Sequence, residues 1–566
     1  MIRCSSLDGM GKREELEAEL IAPGAMFATT TDRVPDLQGD EHEMQVFEQR
    51  FGHLRQALEL SAAHGDAEYV IFGDDRITFT QNVEAIASLA VGLSNEHGIG
   101  PGSRVAILAA NSAEWIQSFW AATSLGAMVV AMNGWWAGDE IRFALEDCTP
   151  HLLIADEKRL ARLDGNDPGT PVLSIESDVG RIMATNPGAD LPTVDIEEDT
   201  PAVVLYTSGT TGRPKGAVQS HRNVIASMGL QFFHGARTAM LDPLPPEAQA
   251  WPRKTLMGAP LFHVSGLHAG AVSMLVGGST GVWLTGRFEP AEVAALIESE
   301  RITHWNALGT VVNRFLADPA IGDYDLSSLV HLGGGGAPVG PALQARYREL
   351  IPNLAEMGFG YGLTESGALI SITWGEEWAE DPTTVGRPLP TIDVEIRDAD
   401  GTPLPDGEEG EICVRSPAVM QGYWNRPEVN AEQLVEGWLH TGDIGRFENG
   451  KLYLASRRRD LIIRGGENVY PVEIENRLDE HPDIEESAVI GVDDEVLGEI
   501  VKAVVVPVEG AEPDTEALAE WVGASLAAFK VPTEWEIRRE PLPRTATLKI
   551  IKNVLRGDDA VEFIAE

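Results

Sequence analysis

Between residues 105 and 155 short apolar runs alternate with amphipathic stretches, and this rhythm narrows the possible folds more than any other feature of the chain. Val105–Ala109 and Met128–Met132 are brief and apolar at successive positions, the pattern of strands buried on both faces. Asn111-Ser112 offers a cap for a helix running to Gly126, with Trp115, Phe119 and Ala122 on one side. Asp139–Cys148 reads as the next helix and His151–Ala155 as the next strand. Strand–helix–strand repeats of this kind predict an α/β architecture of doubly wound, parallel sheets.

Downstream the pattern changes. Val394–Ile396 and Glu411–Arg415 are shorter and alternating, with Asp400-Gly401 as a hairpin turn, which predicts a small β-barrel-like subdomain. Beyond Arg457, a strand at Leu461–Arg464, a helix over Pro471–Leu478 and strands at Ser487–Val492 and Ile500–Pro507 predict a small α+β C-terminal domain. A chain of 566 residues exceeds what one core serves. The expected division is a loosely held, polar extension over 1–45, a large N-terminal domain over 46–456 and a small domain over 457–566.

Asp and Glu outnumber Lys and Arg by 88 to 43, a net charge of −45, so nucleic acid and anionic membrane are poor partners. No apolar run is long enough to span a bilayer, and Met1–Gly11 lack a signal-peptide core. A cytoplasmic location is expected. Cys4, Cys148 and Cys413 are too widely spaced to suggest zinc or a disulfide framework. Against the acidic background, Arg457, Arg458, Arg459 and Arg464, and then Arg544, Lys549, Lys552 and Arg556, form two basic islands that point modestly to anion contact.

The richest stretch follows the apolar run Ala202–Leu205: Tyr206-Thr207-Ser208-Gly209-Thr210-Thr211-Gly212-Arg213-Pro214-Lys215-Gly216. Its glycines let backbone amides turn inward, its hydroxyls add donors and Lys215 adds charge, which together suit a polyphosphate. Pro214 and Gly216 flank the lysine, so no helix opens there and the loop is not of the Walker A kind. Composition by itself also fits a surface turn. The full string resembles the phosphate-loop signature of the adenylate-forming superfamily, which includes acyl-CoA synthetases, luciferase-like enzymes and the adenylation domains of peptide synthetases.

Companion segments of that family follow in its order. Pro260-Leu261-Phe262-His263 resembles the segment whose histidine orients the carboxylate or gates the pocket. Gly333-Gly334-Gly335-Gly336-Ala337-Pro338 resembles the segment lining adenine and acyl group. In Tyr361-Gly362-Leu363-Thr364-Glu365 the resemblance implies adenine stacking by Tyr361, α-phosphate contact by Thr364 and Mg²⁺ binding by Glu365. It assigns the ribose to Asp443 in Gly437-Trp438-Leu439-His440-Thr441-Gly442-Asp443 and to Arg457. It places the hinge at Arg459, and coenzyme A against Arg464, Gly465, Gly466 and Glu467. Lys549 matches the lysine that bridges the acid and the α-phosphate. Four positions depart from the family pattern: Phe359 replaces a polar residue, Ser456 a glycine, Arg459 a lysine or aspartate and Leu548 a glycine.

The resemblance implies that a carboxylate attacks the α-phosphate of ATP, and that the acyl group then passes to coenzyme A after the C-terminal domain rotates. ATP, Mg²⁺ and coenzyme A are the expected cofactors, and a small-molecule carboxylic acid the expected partner. The oligomeric state is not readable; a homodimer is compatible. Acyl-pocket candidates are His263, Val264, Gly266, Leu267, Ala307–Thr310 including Gly309, Gly333, Gly334, Gly335 and Gly362. They are small or apolar, so a largely apolar acid is expected. Gly362, where acetate-specific relatives carry tryptophan, implies depth for a medium or long acyl chain or a bulky ring-bearing acid. The alternatives are a free-standing ligase that loads a carrier protein, a luciferase-like monooxygenase and a non-catalytic nucleotide sensor.

Overall fold

A computed structural model describes residues 9–207, 214–241, 243–244, 248, 251–286, 288–307, 309–335, 347–351, 353–354, 356–381, 383–457, 460–464, 467–494, 497–545 and 550–557. The apolar runs of the N-terminal part become strands of two large sheets. The first, of seven strands, runs in the order Gly422–Tyr423, Lys215–Ser220, Pro201–Thr207, Met128–Ala131, Arg104–Leu108, Leu152–Ala155, Val172–Ser174. Neighbours from Pro201–Thr207 onward are parallel. Every residue of Met128–Ala131 and Leu152–Ala155 is buried, because helices cover both faces. One of these is Ala113–Ser124, where Ser112 Oγ accepts the Trp115 backbone N–H at 3.1 Å and Trp115, Phe119 and Trp120 are fully buried.

The second sheet has nine strands, ordered Arg387–Pro388, Ser371–Trp374, Glu356–Tyr361, His331–Gly335, His304–Asn306, Lys254–Met257, Thr280–Trp283, Glu68–Phe72, Asp75–Thr78. A shared core joins the two sheets, with Tyr69, Phe79 and Trp283 meeting Val105, Val129 and Val203. Neither sheet is wholly parallel. Lys215–Ser220 returns antiparallel beside Pro201–Thr207, and Ser371–Trp374 beside Glu356–Tyr361. The connections there are too short for a crossover helix, so hairpin pairing replaces parallel winding.

Asp393–Arg397, Glu409–Arg415, Trp438–Glu448 and Lys451–Arg457 form the expected small antiparallel sheet. Its first turn is held by Asp398 Oδ1, which accepts the backbone N–H groups of Asp400 and Thr402, with Gly401 at φ +81°. The C-terminal sheet of Ile462–Arg464, Glu467–Val469, Ile484–Asp494, Gly498–Pro507 and Glu534–Ile537 packs on the helices Pro471–Asp479 and Thr515–Gly523 through a core of its own.

Residues 9–45 are not loosely held. A helix, Gly9–Ile21, leads into a hairpin, Thr29–Pro35 with Glu41–Phe47. Phe27 and Phe47 are buried beside Phe233. The polar composition hid an alternation that buries Val34, Met44 and Val46 on one side of the hairpin. Among the described residues, no helix is long and apolar enough to cross a membrane.

Candidate active site

The strand Pro201–Thr207 delivers Thr207 to the C-terminal edge of the parallel strands, where ligands of open α/β sheets bind. Thr207 and Lys215 are paired across the hairpin; the centre of the phosphate string, Ser208, Gly209, Thr210, Thr211 and Gly212, lies outside the described residues. Lys215 Nζ sits 5.3 Å over the ring of Tyr423, and Tyr423 Oη–H donates to Glu365 Oε1 at 2.8 Å. Burial, followed by the adjacent Glu365 carboxylate, pushes the Tyr423 phenol far up, so it stays a donor. A cation, a ring and a carboxylate therefore meet at one point. Gln219 and Met420 brace the same turn: the Gln219 side-chain amide donates to the Thr364 carbonyl at 2.6 Å, and the Met420 N–H to the Glu365 carbonyl at 2.8 Å. Tyr423 and Gln219 were missed in the sequence because each lies in a stretch with no local chemical pattern.

Tyr361 and Asp443, which are 82 positions apart, are joined by a 2.8 Å hydrogen bond from the phenol to Asp443 Oδ2. Both are nearly buried. Strand pairing sets Arg457 opposite Asp443, so the three positions expected at adenine and ribose converge. The turn after Tyr361 is tight: Ser366 Oγ accepts the Leu363 N–H at 2.9 Å, and Ala368 takes φ +114°, strain of the kind that collects at functional sites. His263 is held through its loop, where Asn111 donates to the Ala259 carbonyl at 3.0 Å and accepts the Leu261 N–H at 2.8 Å. Gly266 is required there, since a Cβ would overlap the Pro260 carbonyl.

Thr207, Lys215, Tyr423, Thr364, Glu365, Asp443, Asn111 and His263 line one continuous cleft of ≈ 3090 Å³, which also takes in Val264, Ala307, Gly333, Gly358, Gly360 and Gly362. Gly333 lines the cleft, and Gly334 and Gly335 pair with Phe359 and Gly360 on the next strand. Phe359 pairs with Gly334 and lies in the core; this departure from the family pattern is a packing residue. Gly362 lines the cleft, and the turn itself also demands glycine there, since a Cβ would overlap the Ala368 carbonyl. His234, His304, His331, Asn306, Gln231 and Arg253 share the same cleft.

Residues 58–424 match the family model described as AMP-binding enzyme, and residues 473–549 match its C-terminal domain. The first match alone spans more than half of the chain. The chain belongs to the AMP-binding enzyme family. Among its relatives are a feruloyl-CoA synthase of Amycolatopsis sp, 35% identical over 87% of this chain and 95% of that protein, and the long-chain-fatty-acid–CoA ligase FadD13 of Mycobacterium tuberculosis, 34% identical over 85% and 93%. The solved structure of the amide bond synthetase McbA from Marinactinospora thermotolerans superposes with a TM-score of 0.77 at 32% identity, covering 89% of this chain and 99% of that one.

In this AMP-binding enzyme the C-terminal domain reaches the cleft with Asp460, Val472, Glu475, Arg544, Thr545 and Ile550–Val554. An Arg544–Ile550 bridge closes the base of the segment carrying Lys549. Lys549, Leu548, Gly336, Ala337, Pro338, Gly465, Gly466 and Arg459 lie outside the described residues, as do the side chains of Arg457 and Glu467. Arg464 Nη1 donates to the Phe529 carbonyl at 2.6 Å within its own domain. The second basic island faces acids: Arg544 pairs with Glu486 at 3.0 Å, Lys552 with Glu475 at 2.6 Å and Arg556 with Asp460 at 3.7 Å. Three of the four cations of that island are thus paired with acids; the fourth, Lys549, is outside the described residues.

Proposed function

We propose that this AMP-binding enzyme activates a bulky carboxylic acid, of medium or long chain or bearing a ring, and passes the acyl group to coenzyme A. The observation that carries the reading is the meeting of Lys215, Tyr423 and Glu365 at the strand edge, with Asp443, the hydrogen-bond partner of Tyr361, in the same cleft. In the first step a carboxylate oxygen of the acid bonds to the α-phosphorus of ATP and the bond to pyrophosphate breaks. In the second, the thiolate of coenzyme A attacks the acyl carbon, AMP leaves with the bonding pair, and the thiol proton goes to solvent. The chain's share is orientation and charge neutralisation.

Each residue has a task in this reading. Lys215 and the loop after Thr207 hold the β- and γ-phosphates. Thr364 and Lys549 hold the reacting oxygens, and His263 orients the acid. Tyr361 faces adenine, and Asp443 and Arg457 hold the ribose; Gly335, Gly336, Ala337 and Pro338 let the base approach. Gly465, Gly466 and Glu467 line the thiol path after the domain turns about Arg459. One carboxylate, Glu365, fits Mg²⁺, which binds through one or two carboxylates together with substrate phosphates rather than in a protein cage. Bound there, Mg²⁺ supplies charge neutralisation on the phosphates, while Tyr423 fixes one carboxylate oxygen at 2.8 Å.

The test separates the half-reactions. Lys549→Ala should abolish pyrophosphate release from acid and ATP while sparing thioester formation from supplied acyl adenylate. Equal loss of both would remove Lys549 from the first step. Acyl transfer to a carrier protein but not to coenzyme A would favour the carrier-loading alternative, and nucleotide binding without AMP formation from any acid the sensor.

A further inference from the structure

The foot of the turn that carries Asp443 holds a cluster of unlike donors. The strands Glu409–Arg415 and Trp438–Glu448 are antiparallel neighbours; Cys413 pairs with His440, whereas Glu411 pairs with Ile444. Residues 441–443 therefore stand out of register opposite Ile412 and form a bulge. The bulge is pinned to the facing strand at two points. Thr441 Oγ1–H donates to the Ile412 carbonyl at 2.7 Å, and the Gly442 N–H donates to Glu411 Oε1 at 3.0 Å.

Strand geometry brings three side chains to one point there. Glu411 and Cys413 are two residues apart and share a face of their strand, and His440 lies across from Cys413. His440 Nδ1 is 3.0 Å from Glu411 Oε2 and 3.5 Å from Cys413 Sγ, and all three ligand atoms lie within 4.8 Å of one another. Around tetrahedral zinc, with bonds of about 2.3 Å to sulfur and about 2.0–2.1 Å to nitrogen or oxygen, ligand atoms stand roughly 3.3–3.6 Å apart. The two closest pairs of this cluster bracket that spacing. Cys413 is fully buried, while Glu411 and His440 are partly exposed and line the cleft, which gives an ion a way in.

Hydrogen bonding alone serves this cluster poorly. With a proton on Nδ1 the ring donates to Glu411 and has little left for the sulfur. Without it, Nδ1 accepts the thiol proton and turns its lone pair toward a carboxylate oxygen. A cation between the three satisfies all of them at once. Glu395, across from Cys413 on the strand Asp393–Arg397, is engaged by Arg397 at 2.7 Å. The protein thus offers three ligands rather than the four of a closed structural site. A thiolate and an imidazole favour zinc over the hard cations Mg²⁺ and Ca²⁺, which take oxygen.

We propose that Glu411, Cys413 and His440 bind a divalent cation of the zinc class, with water as the fourth ligand, and that the ion ties the two strands together at the foot of the Asp443 turn. On binding, the Cys413 thiol gives its proton to solvent. The sulfur, His440 Nδ1 and Glu411 Oε2 then each share an electron pair with the metal, and nothing is oxidised or reduced. The site is distinct from Glu365, and it stands or falls apart from the acid-activating reading, because neither acid nor nucleotide takes part in it. Cys413 looks isolated in the sequence because its histidine lies 27 positions away and is brought opposite only by strand register.

The probe is Co²⁺, which takes the place of zinc in such sites and reports a bound thiolate by a charge-transfer band in the near ultraviolet. Full-length protein, reduced and stripped of metal with a chelator, is titrated with Co²⁺. The expected result is a band that saturates at a single equivalent, is removed by an equivalent of Zn²⁺ and survives a large excess of Mg²⁺. The band separates this site from loose binding to the many surface carboxylates, which give none. Cys413→Ala should abolish it, and Cys148→Ala, which removes another buried thiol, should keep it. His440→Gln, whose amide still offers Glu411 a donor, should weaken Co²⁺ and Zn²⁺ binding about tenfold or more. Cobalt binding without the band in the wild type, or a band that persists in Cys413→Ala, overturns the inference. If Cys413→Ala does not fold, His440→Gln decides: undiminished affinity in that variant overturns the inference equally.

Discussion

At the scale of single residues, buried neutral histidines make this fold acid-sensitive. His221 is fully buried and accepts the Leu54 backbone N–H on Nδ1 at 3.2 Å; burial, then neighbouring His53, pushes its pKa down to about 3. Burial also pushes His268 down to about 4, outweighing the Gly367 carbonyl beside it. An unfolded histidine takes its proton near pH 6.5. Below that pH the unfolded chain binds more protons than the folded one, so the stabilisation is complete above about 6.5 and drains away as pH falls toward 4. For His268 the full loss is roughly 3 kcal/mol. Urea midpoints measured between pH 7 and 4.5 should fall, and His268→Gln should flatten the fall. An unchanged slope in that variant would show that His268 stays protonated or solvated.

At the scale of elements, stability is concentrated at helix starts that also hold strands in place. Ser112 opens the helix Ala113–Ser124, which is buried over most of its length. Ser112→Ala should cost about 1 kcal/mol, seen as a small drop in the thermal midpoint. Asp156 carries more. It accepts the Arg159 N–H at 2.7 Å, the Ala110 N–H at 2.9 Å and the Arg159 guanidinium at 2.7 Å, all near the top of the first sheet. Asp156→Ala should therefore cost about 3 kcal/mol or more, because it disrupts a buried charge pair as well as a cap. Equal midpoints for the two variants would show that the guanidinium contact contributes nothing.

At the scale of the whole molecule, the N-terminal helix is tied to the wall of the cleft. Glu17 Oε1 accepts Arg237 Nη1 at 2.6 Å and Arg13 Nε at 2.8 Å, and Arg13 also pairs with Glu377. Burial raises the Glu17 carboxyl, but Arg13 and Arg237 more than offset it and the net shift is downward. Arg237 is 2% exposed and contacts His234 on the pocket wall. Glu17→Gln should cost about 3 kcal/mol by weakening the pairing of a buried arginine, lowering the denaturation midpoint well beyond the effect of an exposed Glu→Gln control such as Glu15→Gln.

Much of this was legible from the chain alone, for a physical reason. Fully buried strands require unbroken apolar runs, and helices packed on them require a one-sided pattern, so Val105–Ala109, Met128–Met132, Asp139–Cys148 and Pro471–Leu478 are readable wherever they occur. The loop at Thr207–Gly216 and the turn Tyr361–Glu365 were readable as candidates because each gathers its hydroxyl, charged and glycine residues in one contiguous stretch. The far end of the cleft was not. Gln231, His234, Thr255, His304, His331 and Trp374 come from five separate segments, each looking like an ordinary alternating residue. Gly362 showed the opposite difficulty: its identity is set by the Ala368 carbonyl, which only the folded turn brings within reach. Local pattern determines the elements and the nucleotide-facing loops. Which side chains share a wall depends on strand order and register, and these are decided by tertiary packing.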